Sequence, residues 1–278
     1  VNLIKREKNN SKKAPKVTVI MVDGSYRPHF AIIDCLSQQT LPTDEFEVLW
    51  IEYYDKVKLE LVNKMNPYAN FHIITLQQTG TYHSSLCFNK GISVAKAELL
   101  IIIDADTVIE KDFIKTVWEE HQNNNCLVMY IFRYDESKRK APLCLDRNYL
   151  QKRCTTVNPY NYGGCLTVRR EWLMKINGYE QHDVFRTGGD HANGLDVFTR
   201  FKNLGLPVMW HPHLKMYHPW HPHKDGYKLG YKIQKVFIEH RATSLDTLAF
   251  EGMNPRYKRK IPDDLKEKIE EAKKKFLK

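Results

Sequence analysis

The stretch Leu99-Leu100-Ile101-Ile102-Ile103-Asp104-Ala105-Asp106 constrains this chain more than any other. Five aliphatic residues in a row, rich in β-branching, match a strand buried on both faces, the pattern of a parallel sheet covered by helices. A buried helix satisfies the same periodicity, but Phe113, Val117 and Trp118 recur at helical spacing just downstream of Glu110 and Asp112, so the helix comes next. Asp104 and Asp106 therefore lie where a strand leaves the sheet. In extended backbone, residues two apart point to the same side, and Ala105 leaves the space between the two carboxylates open. Two like charges held that close call for a cation. Hard divalent ions such as Mg²⁺ and Mn²⁺ take oxygen ligands and keep positions for phosphate oxygens, and ligands of open α/β sheets sit beyond the carboxyl ends of strands. The pattern points to a metal with a diphosphate. The plain alternative is a strand exit with solvated acids.

The flanking segments extend the same architecture. Lys16 to Val22 alternates and is β-branched, which predicts a first strand with a turn-rich exit through Asp23-Gly24-Ser25-Tyr26-Arg27-Pro28. Phe30, Ile33 and Leu36 predict a short helix that stops before Leu41-Pro42. Strands follow at 46–51 and 71–76, and a helix at 84–97. This order implies an α/β fold with a doubly wound, mostly parallel sheet flanked by helices. Further on, 127–132 reads as a strand, 138–154 as a polar connection, and Cys165 to Val168 as a strand behind Gly163-Gly164. Short helices are predicted at 170–176 and from Val197 to a stop at Gly205.

With 278 residues and 42% hydrophobic content the chain can build its own core. No apolar run reaches the ~20 residues that span a bilayer, and the chain begins at Val1 without Met, which suggests a piece of a longer or processed protein. The six cysteines have no CxxC spacing, which argues against a disulfide framework or a zinc ribbon and for a reducing, cytoplasmic setting. Of the net charge of +10, much sits at the two ends. The aromatic residues are not interleaved with the basic runs, so the expectation is no nucleic-acid partner.

The order of motifs resembles that of GT-A fold glycosyltransferases of the large inverting family 2. The matching residues are KVTVIMV with Ser25-Tyr26-Arg27-Pro28, then CLSQQTLPTDEFEVLWIE with its Gln-Thr turn, and FNKGISVAKAELLIIIDADT running from Asn-x-Gly into Asp-x-Asp. The resemblance implies a GT-A, Rossmann-like domain over 16–223, with a nucleotide-binding half at 16–107 and an acceptor half at 108–223. A basic extension at 1–15 precedes it, and a basic helical segment at 224–278 follows. It also implies a metal-dependent enzyme of the hexosyltransferase type, serving glycan or glycoconjugate synthesis. The donor would be a nucleotide sugar, in first place a UDP-sugar, and the acceptor a hydroxyl.

The resemblance also assigns residues. Ser25, Tyr26, Arg27 and Glu52, at the ends of the first two strands, would meet the nucleotide together with Asp104; the family offers Asp where Glu52 stands. Asn89 would touch substrate or hold its helix turn. Asp104 and Asp106 would hold the divalent cation with a histidine of the tract 211–223, His218 first and His221 second. The prolines of that tract prevent a one-faced helical site, and a mixed oxygen and imidazole shell suits Mn²⁺ better than Ca²⁺. For the general base the chain departs from the pattern. The family's spacing, counted back from Arg200, lands on Asn193-Gly194, so the base would be Asp190, behind Gly188-Gly189, or Asp196.

Two rival functions stand beside this one: a catalytically silent module that binds sugar or a partner, and a nucleotidyltransferase. The latter lacks support from any Gly-rich phosphate loop after the first strand. Leu265, Ile269, Ala272 and Phe276 predict a final amphipathic helix among lysines. It would pack on the domain or make peripheral contact with an anionic membrane.

Overall fold

A computed structural model describes residues 14–138, 142–186, 191–222 and 227–276. Strands β1 (Val17–Asp23), β2 (Phe46–Glu52), β3 (Phe71–Thr75) and β4 (Leu99–Ile103) pair in parallel in the order β3-β2-β1-β4. Their connections are helices α1 (Ala31–Ser37), α2 (Leu59–Met65) and α3 (Ser84–Val94). Alternate residues of the strands enter two separate cores. Val19, Met21, Ile101 and Ile103 pack with Phe30 and Ile33 near α1, whereas Ile20, Val22, Leu100 and Ile102 pack with Cys87, Phe88 and Ile92 of α3. The continuous apolar runs are thus strands covered on both faces.

Beyond β4 the sheet becomes mixed. Among the described residues it continues β4-β8-β6-β9-β5, with β7 paired to β6, where β5 is Val108–Ile109, β6 Val128–Glu136, β7 Cys154–Asn158, β8 Cys165–Arg169 and β9 Val208–His218. β8 runs antiparallel to β4 and β6, and β9 parallel to β6. The polar connection expected at 138–154 holds a helix, α5 (Arg147–Arg153), capped by the Asp146 carboxylate, which accepts from the Tyr149 amide. The remaining helices are α4 (Phe113–Glu120), α6 (Arg170–Lys175), α7 (His191–Asn203), α8 (Tyr227–Ser244) and α9 (Asp263–Phe276).

The pairing of β6 with β9 is interrupted. Tyr130 faces Trp210, but Phe132 faces Lys215, so residues 211–213 loop out of the ladder. His211 closes this bulge, its Nδ1 accepting from the amides of His213 and Leu214 at 3.1 and 2.8 Å. An odd number of extra residues reverses the face presented downstream. His218 consequently stands beside Asp135, on the face opposite the one Trp210 occupies.

Val184, Phe185 and Ala192 share a third core with Phe237, Phe250, Leu265 and Ile269. The apolar stripe of α9, expected either to pack or to meet a membrane, packs: Leu265, Ile269 and Ala272 are buried. No helix of the described residues is long and apolar enough to cross a membrane.

Candidate functional site

The turn after β4 and the end of β9 bring three of the expected metal ligands together. Asp106, His218 and His221 each offer one ligand atom, and these atoms lie within 4.8 Å of one another. His218 Nε2 is 3.8 Å and His221 Nε2 3.5 Å from Asp106 Oδ2, and the two imidazole nitrogens are 3.2 Å apart. Asp106 is 4% exposed and Ala105 fully buried beneath it. Asp104 diverges from this cluster and pairs with Arg133, at 3.2 Å. Its amide donates to Gly164 O, which ties the acidic turn to the strand entering from β8's side.

Several residues that hold this cluster escape a reading of the sequence. His218 Nδ1 lies 3.0 Å from Asp135 Oδ1, and Arg133 Nε 2.9 Å from the same oxygen. Glu136 accepts from the Trp220 amide and from the Tyr149 hydroxyl, fixing the turn that carries His221. The strand expected over 127–132 in fact runs to Glu136, and its charged end supplies all three side chains. The alternation Arg133-Tyr134-Asp135 was the available signal.

Electrostatics match this geometry. Burial raises the Asp106 carboxyl, but Arg27, with His218 and His221 behind it, holds it well below the usual carboxylate range. For His218 burial acts downward, yet the Asp106 and Asp135 contacts prevail and raise it. His29, also missed, is 5% exposed beside these groups, and burial lowers it to about 4, which keeps it neutral.

The cluster fits a divalent cation. Asp106 Oδ1 is buried without a hydrogen-bond partner, and two imidazole nitrogens stand 3.2 Å apart within reach of the same carboxylate. One carboxylate and two imidazoles make a donor set that suits a transition ion, and Asp135 lies as a charged contact on the far nitrogen of His218, where it would orient a ligating imidazole.

The expected nucleotide residues gather at the neighbouring strand ends. Asp23 and Glu52 are register partners on β1 and β2. Ser25, at φ +60°, donates its hydroxyl to Glu52 Oε1 at 2.9 Å, and the Tyr26 amide donates to Asp23 Oδ1 at 3.2 Å. Burial and the Asp23 charge push Glu52 up to about 7. Tyr26 is exposed, its ring edge-on to Tyr82. Arg27 turns inward and forms an ion pair with Asp106.

Two expected residues stand elsewhere. Asn89 clamps a backbone: its Nδ2 donates to Tyr179 O and its Oδ1 accepts from Tyr179 N, at 2.8 and 2.7 Å, which uses it for structure. Asp196 is fully buried, with Arg200 Nη2 at 2.7 Å and Arg241 Nε at 2.6 Å. That placement corrects its nomination as general base, since a carboxylate locked between two guanidiniums neither reaches an acceptor nor takes its proton. Asp190 lies outside the described residues. Asn193 is buried with its Nδ2 on Ser84 Oγ, and a Cβ at Gly194 would meet Tyr162 C and O at 2.4 Å, so the packing leaves no room for an acid at position 194.

Comparison with known proteins gives this arrangement its context. The family model described as Glycosyl transferase family 2 matches residues 32–176. No curated protein sequence matches the chain. Among solved structures, S. aureus TarS 1-349 is similar over 94% of this chain and 72% of its own, with a TM-score of 0.58 and 14% identity. A mannosyltransferase, PcManGT from Pyrobaculum calidifontis, in complex with GDP-Man and Mn²⁺, is similar over 95% and 71%, with a TM-score of 0.54 and 17% identity. S. aureus TarS 1-349 in complex with UDP is similar over 80% and 64%, with a TM-score of 0.56 and 16% identity. At these identities the likeness is one of fold.

Proposed function

Because the chain belongs to glycosyl transferase family 2, we propose that it is an inverting, metal-dependent glycosyltransferase that moves a hexosyl group from a nucleotide sugar to a hydroxyl acceptor. The observation that carries this reading is the convergence of Asp106, His218 and His221 beside Asp104, at the ends of the strands where an α/β sheet receives its ligand. Similar folds bind UDP in one case and GDP-Man with Mn²⁺ in another, so both nucleotides belong in the test, with a UDP-sugar as first choice.

In this reading Asp106, His218 and His221 hold the cation, Mn²⁺ in preference to Mg²⁺. When bound there, it supplies Lewis-acid neutralisation of charge on the departing nucleoside diphosphate. Asp135 keeps the His218 imidazole oriented through Nδ1, and Glu136 fixes the turn of His221. Arg27 and Arg133 add positive charge where diphosphate oxygens would lie. Ser25 and Tyr26, held by Glu52 and Asp23, shape the nucleotide end. The acceptor proton would pass to the carboxylate of Asp190, which directly precedes α7, as the acceptor oxygen attacks the anomeric carbon in line.

The test is a panel of UDP- and GDP-sugars with Mn²⁺, Mg²⁺ or chelator, read as donor hydrolysis and as binding by calorimetry. Metal-dependent binding and slow hydrolysis that Asp106→Ala abolishes are the expected results. Absence of metal-dependent nucleotide binding contradicts the proposal. The occupied Asp196 and the crowded Gly194 favour one second reading, a silent module of the same fold, which would bind a nucleotide sugar with metal and never turn it over.

A further inference from the structure

Arg27 already occupies the electrostatic place of a cation. Its Nη1 pairs with Asp106 Oδ2, the same oxygen that faces both histidines, and its Nη2 lies 4.0 Å from Asp104 Oδ1. One guanidinium thus engages both acids of the pair, and its side chain is only 6% exposed. A dication on Asp106 would sit against the guanidinium that now holds Oδ2, and two positive groups cannot share so dry a place at low cost.

We propose that Arg27 is the resting counter-ion of Asp106, and that a divalent cation enters by displacing the guanidinium, which becomes available to an incoming diphosphate. This rests on the metal-site reading above. The charge balance around the site gives the exchange its direction. Asp104, Asp106 and Asp135 face Arg27 and Arg133, together with the imidazoles of His218 and His221, and the buried Asp23 lies on the other side of Arg27. A dication makes that setting more positive by its two charges, which favours an anion after the metal has arrived.

The backbone around Arg27 is held in place. Lys58 Nζ donates to Arg27 O at 2.6 Å, and the preceding Tyr26 amide is fixed by Asp23. The exchange therefore asks for side-chain movement alone. Metal and diphosphate should bind with positive coupling, because each offsets the charge that the other leaves uncompensated, and coupling of this kind is reciprocal.

The deciding experiment is calorimetric titration of Mn²⁺ alone into the parent protein and into Arg27→Gln, with Asp106→Asn as the control for site occupancy. Arg27→Gln should bind Mn²⁺ more tightly, by on the order of tenfold, since a charge-assisted contact no longer competes. It should also lose most of the gain in Mn²⁺ affinity that UDP confers on the parent. If the parent binds Mn²⁺ and Arg27→Gln binds it no more tightly, the exchange is overturned and the metal site stands. If neither binds, both fall. Should the variant not fold, guanidinium resonances of the parent protein decide, titrated with diamagnetic Zn²⁺. Arg27 should go from restricted to free rotation at saturation while the buried Arg200 and Arg241 stay restricted, and an Arg27 that remains restricted overturns the proposal.

Discussion

Arg241 on α8 reaches Asp196 on α7 with its Nε 2.6 Å from Oδ1, both side chains fully buried. The same guanidinium pairs with Glu180 and approaches Asp246 Oδ2 at 3.4 Å, while Arg200 holds the other oxygen of Asp196. Asp196, Arg200, Arg241 and Glu180, from α7, α8 and the turn after α6, thus neutralise one another in a dry interior, with the less buried Asp246 at its edge. Removing one partner from such a group is far more costly than having built it, because the remaining charges stay buried.

Arg241→Ala should therefore lower stability by about 3–5 kcal/mol. Urea unfolding followed by far-UV circular dichroism measures it. A loss under about 1 kcal/mol would show that water reaches the network and that burial is not what makes it matter.

Glu52 makes stability fall with rising pH. Its carboxyl keeps a proton in the folded protein up to about 7, raised by burial and by Asp23, whereas the unfolded chain releases it near 4.5. Between those values the folded state binds more protons, so stability drops across that window and this contribution is level above it. Urea midpoints at about pH 5 and about pH 8 should differ more for the parent than for Glu52→Gln, which carries no such proton. Equal differences would contradict the assignment.

Asp135→Asn tests the outer support of the metal ligands. The amide preserves shape but no longer supplies the charge that orients His218 through its Nδ1. Losing such a partner typically weakens metal affinity by about 10–100-fold. Mn²⁺ titration should show that loss with an unchanged circular dichroism spectrum, and an unaltered affinity would mean that His218 is oriented by packing alone.

Gly194→Ala should destabilise the first turn of α7 against the segment around Tyr162. The added methyl meets backbone atoms at 2.4 Å, and backbone, unlike a flexible side chain, does not move aside. Overpacking of this kind costs about 1–3 kcal/mol, readable as a lower thermal midpoint.

The parallel half of the sheet was legible because its strands are buried on both faces and are rich in β-branched and aromatic residues, with β4 an unbroken aliphatic run closed by acids. The partnership of Asp106 with His218 and His221 was also reachable, once the Asp-x-Asp turn and the histidine tract were read through one family resemblance. What the chain conceals is charge used inside. The apolar run of strand β6 ends at Phe132, yet Arg133, Asp135 and Glu136 continue the strand and brace the site. Asp196 was one of two acids near the place where the family's spacing from Arg200 lands, and spacing carries no sign of burial. Its second partner, Arg241, comes from a helix whose pattern does not announce a buried guanidinium. The bulge at 211–213 hides in the same way: strict alternation from Trp210 puts His218 on the wrong face.

The order in which the chain is made adds a last consequence to the pairing of β6 with β9. Asp104 and Asp106 emerge early, at the exit of β4, while the imidazoles that complete the cluster lie at the far end of β9, a strand that docks between β6 and β5. A nascent chain that has laid down only the first half has the acids but nothing to close them around an ion. In the proposed metal reading, the three ligand atoms come together only once this late strand is seated, so a chain made as far as β4 holds an incomplete cluster.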